Sequence, residues 1–108
     1  VLPMKNKEGK EVVERITEKV TLKIFSTGSD PKNYYLLHKL PLKAKEIEIE
    51  LNLSPMPANR RINELMEVGL IRREKPGAEI EITPLGKEFI KYIHEMRQEV
   101  IKQMVQIV

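Results

Sequence analysis

The sequence predicts a mainly α-helical fold with one small β-hairpin, an N-terminal helix and a long C-terminal helix. Three observations predict it. Apolar residues return at steps of three and four through most of the chain. Two short alternating runs flank the turn pair Pro76-Gly77, and an apolar series with helical spacing continues from Phe89 to Ile107. A length of 108 residues is that of one domain with one modest core.

Composition argues against several classes of function. The chain has no Cys, so disulfides, thiolate nucleophiles and Cys-ligated zinc are excluded, and its two His residues, His38 and His94, stand far apart. No glycine-rich phosphate loop, activated Ser or cluster of metal ligands is visible. We therefore expect no catalytic residue, no metal and no cofactor, and we expect that the protein is not an enzyme.

Charge and hydropathy limit the kinds of partner that this protein can have. The net charge is only +3 although 32% of the residues are charged, so a nucleic-acid surface must arise by folding basic side chains onto one face. The richness in Lys, Glu, Arg and Ile is typical of proteins from heat-loving organisms. No run of 18 apolar residues and no signal-peptide pattern occurs, which predicts a cytoplasmic protein without a membrane partner.

The first helix is predicted over residues 9 to 27. Its apolar residues return at helical steps, although the alternation of Val20, Leu22 and Ile24 keeps a strand open and a break could fall near Ile16. A turn follows in which Gly28 supplies positive φ. Asp30-Pro31 is suited to begin the next helix, which Pro41 stops.

The segment from Lys43 to Asn52 fits two structures. Its isoleucines alternate with glutamates as in a half-buried strand. Read as a helix, it places Ala44, Ile47 and Leu51 on one face, and Asn52 suits a left-handed C-terminal turn. The helix is favoured because Ser54 immediately opens another helix.

The helix from Ser54 to Val68 is the clearest prediction. We expect Ser54 to cap it, and two prolines, at 55 and 57, fall in the first turn, where missing N–H groups cost nothing. Three residues spaced by four and three should face the core, and Gly69 should supply positive φ at the end. The core-facing residues are Ala58, Ile62 and Leu65, and the opposite face carries Met56, Asn59, Arg60 and Asn63.

The hairpin is predicted from Leu70 to Lys75 and from Glu79 to Thr83, about Pro76-Gly77. Thr83-Pro84 then starts a last helix whose apolar residues follow heptad spacing, and its second half is apolar on more than one side. A chain this small cannot cover so wide a surface, which predicts a homodimer. The expected dimer contacts are Ile93, Met96, Val100, Ile101, Met104 and Ile107.

These elements divide the chain into three parts. Residues 1–30 form an N-terminal helical extension, residues 31–92 form the central unit with the hairpin, and residues 93–108 form the dimerisation part of the last helix. Tyr34 and Tyr35 are both expected in the core of the central unit. Without a separate ligand domain, a small-molecule effector would bind at the dimer interface or beneath the helix that carries these two tyrosines.

The segment from about Tyr34 to Tyr92 resembles the winged helix-turn-helix transcriptional regulators of archaea, in the neighbourhood of the MarR, ArsR and PadR families. The matching strings are EIEIELNLS, SPMPANRRINELMEVGLI, RREKPGAEIEIT and TPLGKEFIKYI, which together cover just over half of the chain. Two residues depart from the pattern. Glu48 stands where a small residue is usual, and Pro57 stands where a Ser or Thr often touches phosphate.

The expected DNA contacts follow from the chemistry of the exposed helix face. Arg can form two hydrogen bonds to guanine, and Asn can do so to adenine. Asn59, Arg60 and Asn63 are therefore candidates for base contacts, and Met56 is a candidate for contact with a thymine methyl group. Candidates for phosphate contacts are Lys43, Lys45, Ser54 and Arg61.

The resemblance implies that the hairpin is a wing that brings Arg72, Arg73 and Lys75 beside the adjacent DNA backbone or minor groove. Strand alternation sends the two arginines to opposite faces, so only one of them should reach DNA. All three cations could instead pair with acids across the hairpin, namely Glu74, Glu79 and Glu81.

The sequence thus predicts a homodimeric, sequence-specific regulator that binds double-stranded DNA. The alternative is a winged-helix module for protein-protein interaction. That alternative is favoured if the recognition helix, from Ser54 to Val68, has Glu46, Glu48 and Glu50 beside it, since acids there would repel DNA.

Overall fold

The computed structural model describes residues 7–107 and is mainly helical. The outermost residues of the predicted terminal parts, 1–6 and 108, lie outside the described range. Within that range, five helices surround a two-stranded antiparallel sheet: α1 (Lys7–Gly28), α2 (Pro31–Lys39), α3 (Ala44–Leu51), α4 (Pro55–Glu67), β1 (Ile71–Arg72), β2 (Glu81–Ile82) and α5 (Pro84–Ile107).

The N-terminal helix α1 is continuous, so the strand alternative and the break near Ile16 were wrong. The prediction of a turn with positive φ at Gly28 was also wrong, because Gly28 is the last residue of α1. Its role is steric. A Cβ at Gly28 would lie 2.7 Å from ring carbons of Phe89, so the absence of a side chain lets α1 approach α5.

Helix α2 begins and ends where the sequence predicted. The carboxylate of Asp30 accepts a hydrogen bond from the Asn33 N–H at 3.2 Å, and Pro31 occupies the first helical position. After α2, the backbone of Leu42 pairs with Ile80 through two hydrogen bonds of 3.2 and 2.8 Å. This bridge attaches the start of α3 to the hairpin.

The ambiguous segment is the helix α3, as favoured, and Ile47 and Leu51 are buried on its inner face. It ends at Asn52, whose φ of 53° is left-handed, and the Leu53 N–H donates to Glu48 O at 2.9 Å. Ser54 stands at the cap position of α4, but its side chain makes no capping hydrogen bond. The prediction was therefore right for the position and wrong for the contact.

The hairpin is shorter than predicted, with Ile71 opposite Ile82 and Arg72 opposite Glu81. The predicted turn at Pro76-Gly77 lies at its tip, and Gly77 there has a positive φ of 88°. Thr83 begins α5, since its Oγ1 accepts from the Gly86 N–H at 3.0 Å.

The core lies between α2, α3, α4, the hairpin and the first turns of α5. Helix α4 supplies the three residues that the sequence predicted for it. The buried apolar residues are Leu36, Leu37, Ile47, Leu51, Ala58, Ile62, Leu65, Leu70, Ile71, Ile80 and Phe89.

The two long helices extend beyond this core. The radius of gyration is 17.3 Å, against about 13 Å for a compact domain of this length. Every residue of α1 from Lys10 to Lys23 is exposed, as is every residue of α5 from His94 to Ile107. No helix within residues 7–107 is long and apolar enough to cross a membrane.

Candidate nucleic-acid interface

The outward face of α4 is set by its buried face. Ala58, Ile62 and Leu65 are at most 1% exposed, so α4 cannot rotate without exposing them. The residues on the opposite side are consequently held toward solvent. All four side chains predicted for base contacts are exposed and line one groove, namely Met56, Asn59, Arg60 and Asn63.

The second wall of this groove is α1, which contributes Lys23 and Thr27. The groove has a volume of about 790 Å³ and is open to solvent. Sequence reasoning missed both α1 residues. Lys23 lies more than thirty residues before Met56 in the chain, and no local pattern indicates that the two side chains share a groove.

Two acids also line the groove, Glu64 and Glu67 of α4. The carboxylate of Glu64 lies 3.8 Å from the Arg60 Nε. Both side chains of this pair are at least half exposed, so the pair is weak and Arg60 can exchange it for another partner. The groove is thus mixed in charge, with cations and amides facing carboxylates.

Arg61 has a different role from the phosphate contact that the sequence predicted. Its side chain is only 19% exposed, its guanidinium forms an ion pair with Asp30, and its Nη1 donates to Asn33 Oδ1 at 3.0 Å. Asn33 is buried and donates to the backbone oxygen of Thr27 at 2.9 Å. Arg61 therefore joins α4 to the junction of α1 and α2, and its guanidinium is engaged there rather than free for the predicted phosphate contact.

The same network shifts the ionisation of Asp30. Partial burial by itself would raise the pKa of this carboxyl, but the Asn33 N–H and the Arg61 guanidinium outweigh it and hold the pKa below its ordinary value. Asp30 thus stays charged and keeps its two roles, as the cap of α2 and as the partner of Arg61.

The start of α4 is a poor anion site. Helix N-termini bind phosphate through free N–H groups, yet Pro55 and Pro57 have none, so Met56 carries the only N–H among the first three residues of α4. The Ser54 hydroxyl is exposed and free of a capping bond. Ser54 was predicted to contact phosphate, and its hydroxyl and its own N–H are the groups through which it can do so.

Lys43 and Lys45 are exposed at the start of α3. The Lys43 N–H donates to the Glu46 Oε1 at 2.9 Å, which turns that carboxylate back onto its own helix. Neither lysine forms an ion pair within residues 7–107, so both ammonium groups can contact an anion.

None of the three acids of α3, Glu46, Glu48 and Glu50, lines the groove. Glu50 accepts a hydrogen bond of 2.6 Å from the Tyr35 hydroxyl and lies 4.0 Å from the Lys39 Nζ. Tyr35 is exposed on α2 rather than in the core, so that prediction was wrong. Its hydrogen bond to Glu50 raises the pKa of the Tyr35 hydroxyl. The acids that the groove does contain belong to α4 itself.

The three predicted cations of the hairpin differ in their exposure and in their ion pairing. Arg72 lies 3.7 Å from Glu81 on the opposite strand, so the cross-strand pairing alternative holds for Arg72. Arg73 is half-buried, whereas Lys75 is exposed beside the turn. Lys75 is therefore the hairpin cation with the freest side chain.

The predicted dimer surface separates into two parts. Ile93 is half-buried and packs against the core of its own chain, so its side chain is partly used there. The other five predicted contacts are exposed along α5, and a second apolar stripe is exposed along α1. The exposed residues are Met96, Val100, Ile101, Met104 and Ile107 on α5 and Val12, Val13, Ile16, Val20 and Leu22 on α1.

No three His, Asp or Glu side chains within residues 7–107 come together as a metal-binding group. Comparisons of the chain with models of known protein families, with curated proteins and with solved structures find no match.

Proposed function

We propose that this chain is a winged helix-turn-helix regulator that binds double-stranded DNA in a sequence-specific manner as a homodimer. The observation that carries the proposal is the exposed face of α4. Four side chains suited to base edges converge there, on a helix whose opposite face is locked into the core. Helix α4 has 13 residues, which is about 20 Å and long enough to lie in a major groove.

The order of elements supports this proposal. Helix α3, the left-handed turn at Asn52, helix α4 and the hairpin follow one another directly, as in helix-turn-helix proteins with an added wing. The bridge from Leu42 to Ile80 ties the hairpin to the segment before α3. The hairpin is thus held in a fixed position relative to α4, as a wing must be to contact the backbone beside the reading helix.

The exposed side chains of α4 can match the hydrogen-bond donors and acceptors that base edges present in the major groove. Arg60 would bind the two acceptors of guanine, and each Asn would bind adenine through its amide. Lys43, Lys45 and Lys75 would bind phosphates, which sets register and affinity without reading sequence.

The exposed stripe on α5 supports a homodimer. Apolar side chains of this size are seldom left in water over several helical turns. A second copy of the chain, related by a twofold axis, would bury them against the same residues of its own α5. Two α4 helices related in this way would bind half-sites about 34 Å apart, one turn of DNA, in a near-palindromic operator.

The direct test is a selection of duplexes from a random pool, followed by a salt titration of the enriched sequence. We expect an enriched inverted repeat and an affinity that falls steeply with salt. No enriched sequence, together with a Kd weaker than about 10⁻⁶ M at physiological salt, would refute specific DNA binding.

One observation favours the alternative, a module for protein-protein interaction. Glu64 and Glu67 line the same groove as the four reading side chains, and a groove of mixed charge suits a protein surface. Under this alternative, Glu64→Gln and Glu67→Gln would weaken the interaction with the protein partner. Under the DNA proposal, the same changes would strengthen duplex binding.

A further inference from the structure

The groove beside α4 has a basic residue on its far wall that sequence reasoning did not find. Lys23 of α1 lines this groove together with Asn59, Arg60 and Asn63. It also lines a neighbouring depression with Glu67 and Val68, at the C-terminal end of α4. Its side chain is exposed, and it forms no ion pair within residues 7–107.

The position of Lys23 relative to α4 is set by contacts that follow it directly in α1. The Thr27 backbone oxygen, one turn after Lys23, is bound to Asn33, which is bound in turn to Arg61 of α4. Phe25, between them, packs edge-on against Phe89 with ring centroids 5.3 Å apart. This part of α1 is therefore attached both to α4 and to the core, and Lys23 keeps its place beside the reading face.

A helix that fills a major groove leaves no space there for a second one. The groove is roughly 12 Å wide, and a helix with its side chains is about 10 to 12 Å across. With α4 in the groove, α1 must lie outside it, over the strand that forms the groove edge. That edge is phosphate, and Lys23 is the α1 cation that lines the groove itself, whereas Lys19 lines only the neighbouring depression.

We propose that Lys23 contacts a backbone phosphate of the duplex that α4 reads, and that Glu67 on the facing wall weakens this contact. The inference rests on the proposed function and adds a third DNA-contacting element to α4 and the hairpin. The same phosphate strand would pass between α1 and the C-terminal end of α4. Glu67 repels it there, and Lys23 offsets that repulsion.

The test compares Lys23→Ala with Lys10→Ala, both exposed lysines of α1. Lys10 lies about 20 Å farther along the helix, so its removal changes the net charge equally without touching the groove. Binding is measured on the duplex enriched by the wild-type protein and on a random duplex, at about 50 mM and about 200 mM salt.

We expect Lys23→Ala to weaken binding to both duplexes alike, because a phosphate contact carries no sequence information. The ratio of its Kd to that of the wild type should shrink by about 12-fold between the two salt concentrations, since the homodimer carries Lys23 twice and each phosphate contact adds about −0.9 to the salt slope. Lys23→Arg should restore binding, and Glu67→Gln should strengthen it. Thermal unfolding of each variant checks that the fold is retained.

The outcomes separate this inference from the proposal beneath it. A wild-type protein that binds no duplex refutes the proposed function itself. A wild-type protein that binds DNA, with Lys23→Ala indistinguishable from Lys10→Ala, refutes the contact by Lys23 alone. A Glu67→Gln variant that binds no more tightly than the wild type refutes the opposing role of Glu67.

Discussion

The Nη1 of Arg61 lies 3.0 Å from the side-chain oxygen of Asn33, and this contact ties α4 to α2. The same nitrogen pairs with Asp30, and Asn33 binds Thr27 of α1. One arginine thus links three helices at the point where α4 presents its exposed face. Its neighbour Arg60 lies on that face, 68% exposed. Two adjacent arginines therefore have separate tasks, one in stability and one in the proposed recognition of DNA.

Replacing Arg61 should destabilise the fold. Arg61→Ala removes a charge-assisted contact and leaves the Asn33 oxygen buried without a partner, which we expect to cost about 2 kcal/mol in the free energy of unfolding. Arg60→Ala is the matched control and should change that free energy by less than about 0.5 kcal/mol. Urea unfolding monitored by circular dichroism measures both, and equal losses for the two variants would contradict the separation of roles.

The network should make stability depend on pH through Asp30. Because the folded state lowers the pKa of Asp30, its contribution is fully present above the unfolded pKa of about 3.9 and is lost as pH falls through the lower folded value. Asp30→Asn should therefore be less stable than the wild type near neutral pH, with a difference that disappears in acid. Urea unfolding of both proteins from about pH 7 to about pH 2 tests this. A difference that stayed constant in acid would show that the charge of Asp30 is not its source.

On DNA, Arg60 should contribute to specificity. Arg60→Ala is expected to lose about 1 to 3 kcal/mol on the enriched duplex and to relax base preference at one position. Arg15→Ala, an exposed arginine of α1, removes the same charge away from α4. Lys75→Ala should weaken all sequences alike and lower the salt slope by about one for each subunit of the dimer. Competition binding with single-base variants measures these effects, and equal losses of Arg60→Ala on enriched and random DNA would rule out base reading.

The exposed stripe of α5 should control assembly. Val100 is 51% exposed, and Val100→Lys would place a charge in the proposed dimer interface without disturbing the core. We expect the dimer to dissociate, whereas Gln106→Lys, at an exposed polar position on another side of the same helix, serves as the control for added charge. Sedimentation equilibrium gives the mass of each protein. A wild-type monomer would leave no support for the paired half-sites.

Local patterns in the sequence predicted the helices, the turns and the outward face of α4. The periodicity of Ala58, Ile62 and Leu65 was sufficient to assign that face, because a helix has a fixed repeat and its apolar side must be buried. The turns at Asn52 and Gly77 were predictable for a similar reason. Both have positive φ, which few residue types adopt at low cost.

Only the tertiary structure decided which polar and charged side chains form contacts within the protein and which remain free at its surface. Arg61 and Asp30 stand 31 positions apart in the chain, so no local pattern could show that Arg61 is used internally. Tyr35 binds Glu50 across 15 positions, and Gly28 faces Phe89 because α1 and α5 cross. By itself the sequence determined the elements and their apolar faces, since these depend on neighbours within one helical turn. Only the packing of α1 against α4 decided that Lys23 borders the exposed face of α4, because that proximity depends on how distant segments fit together.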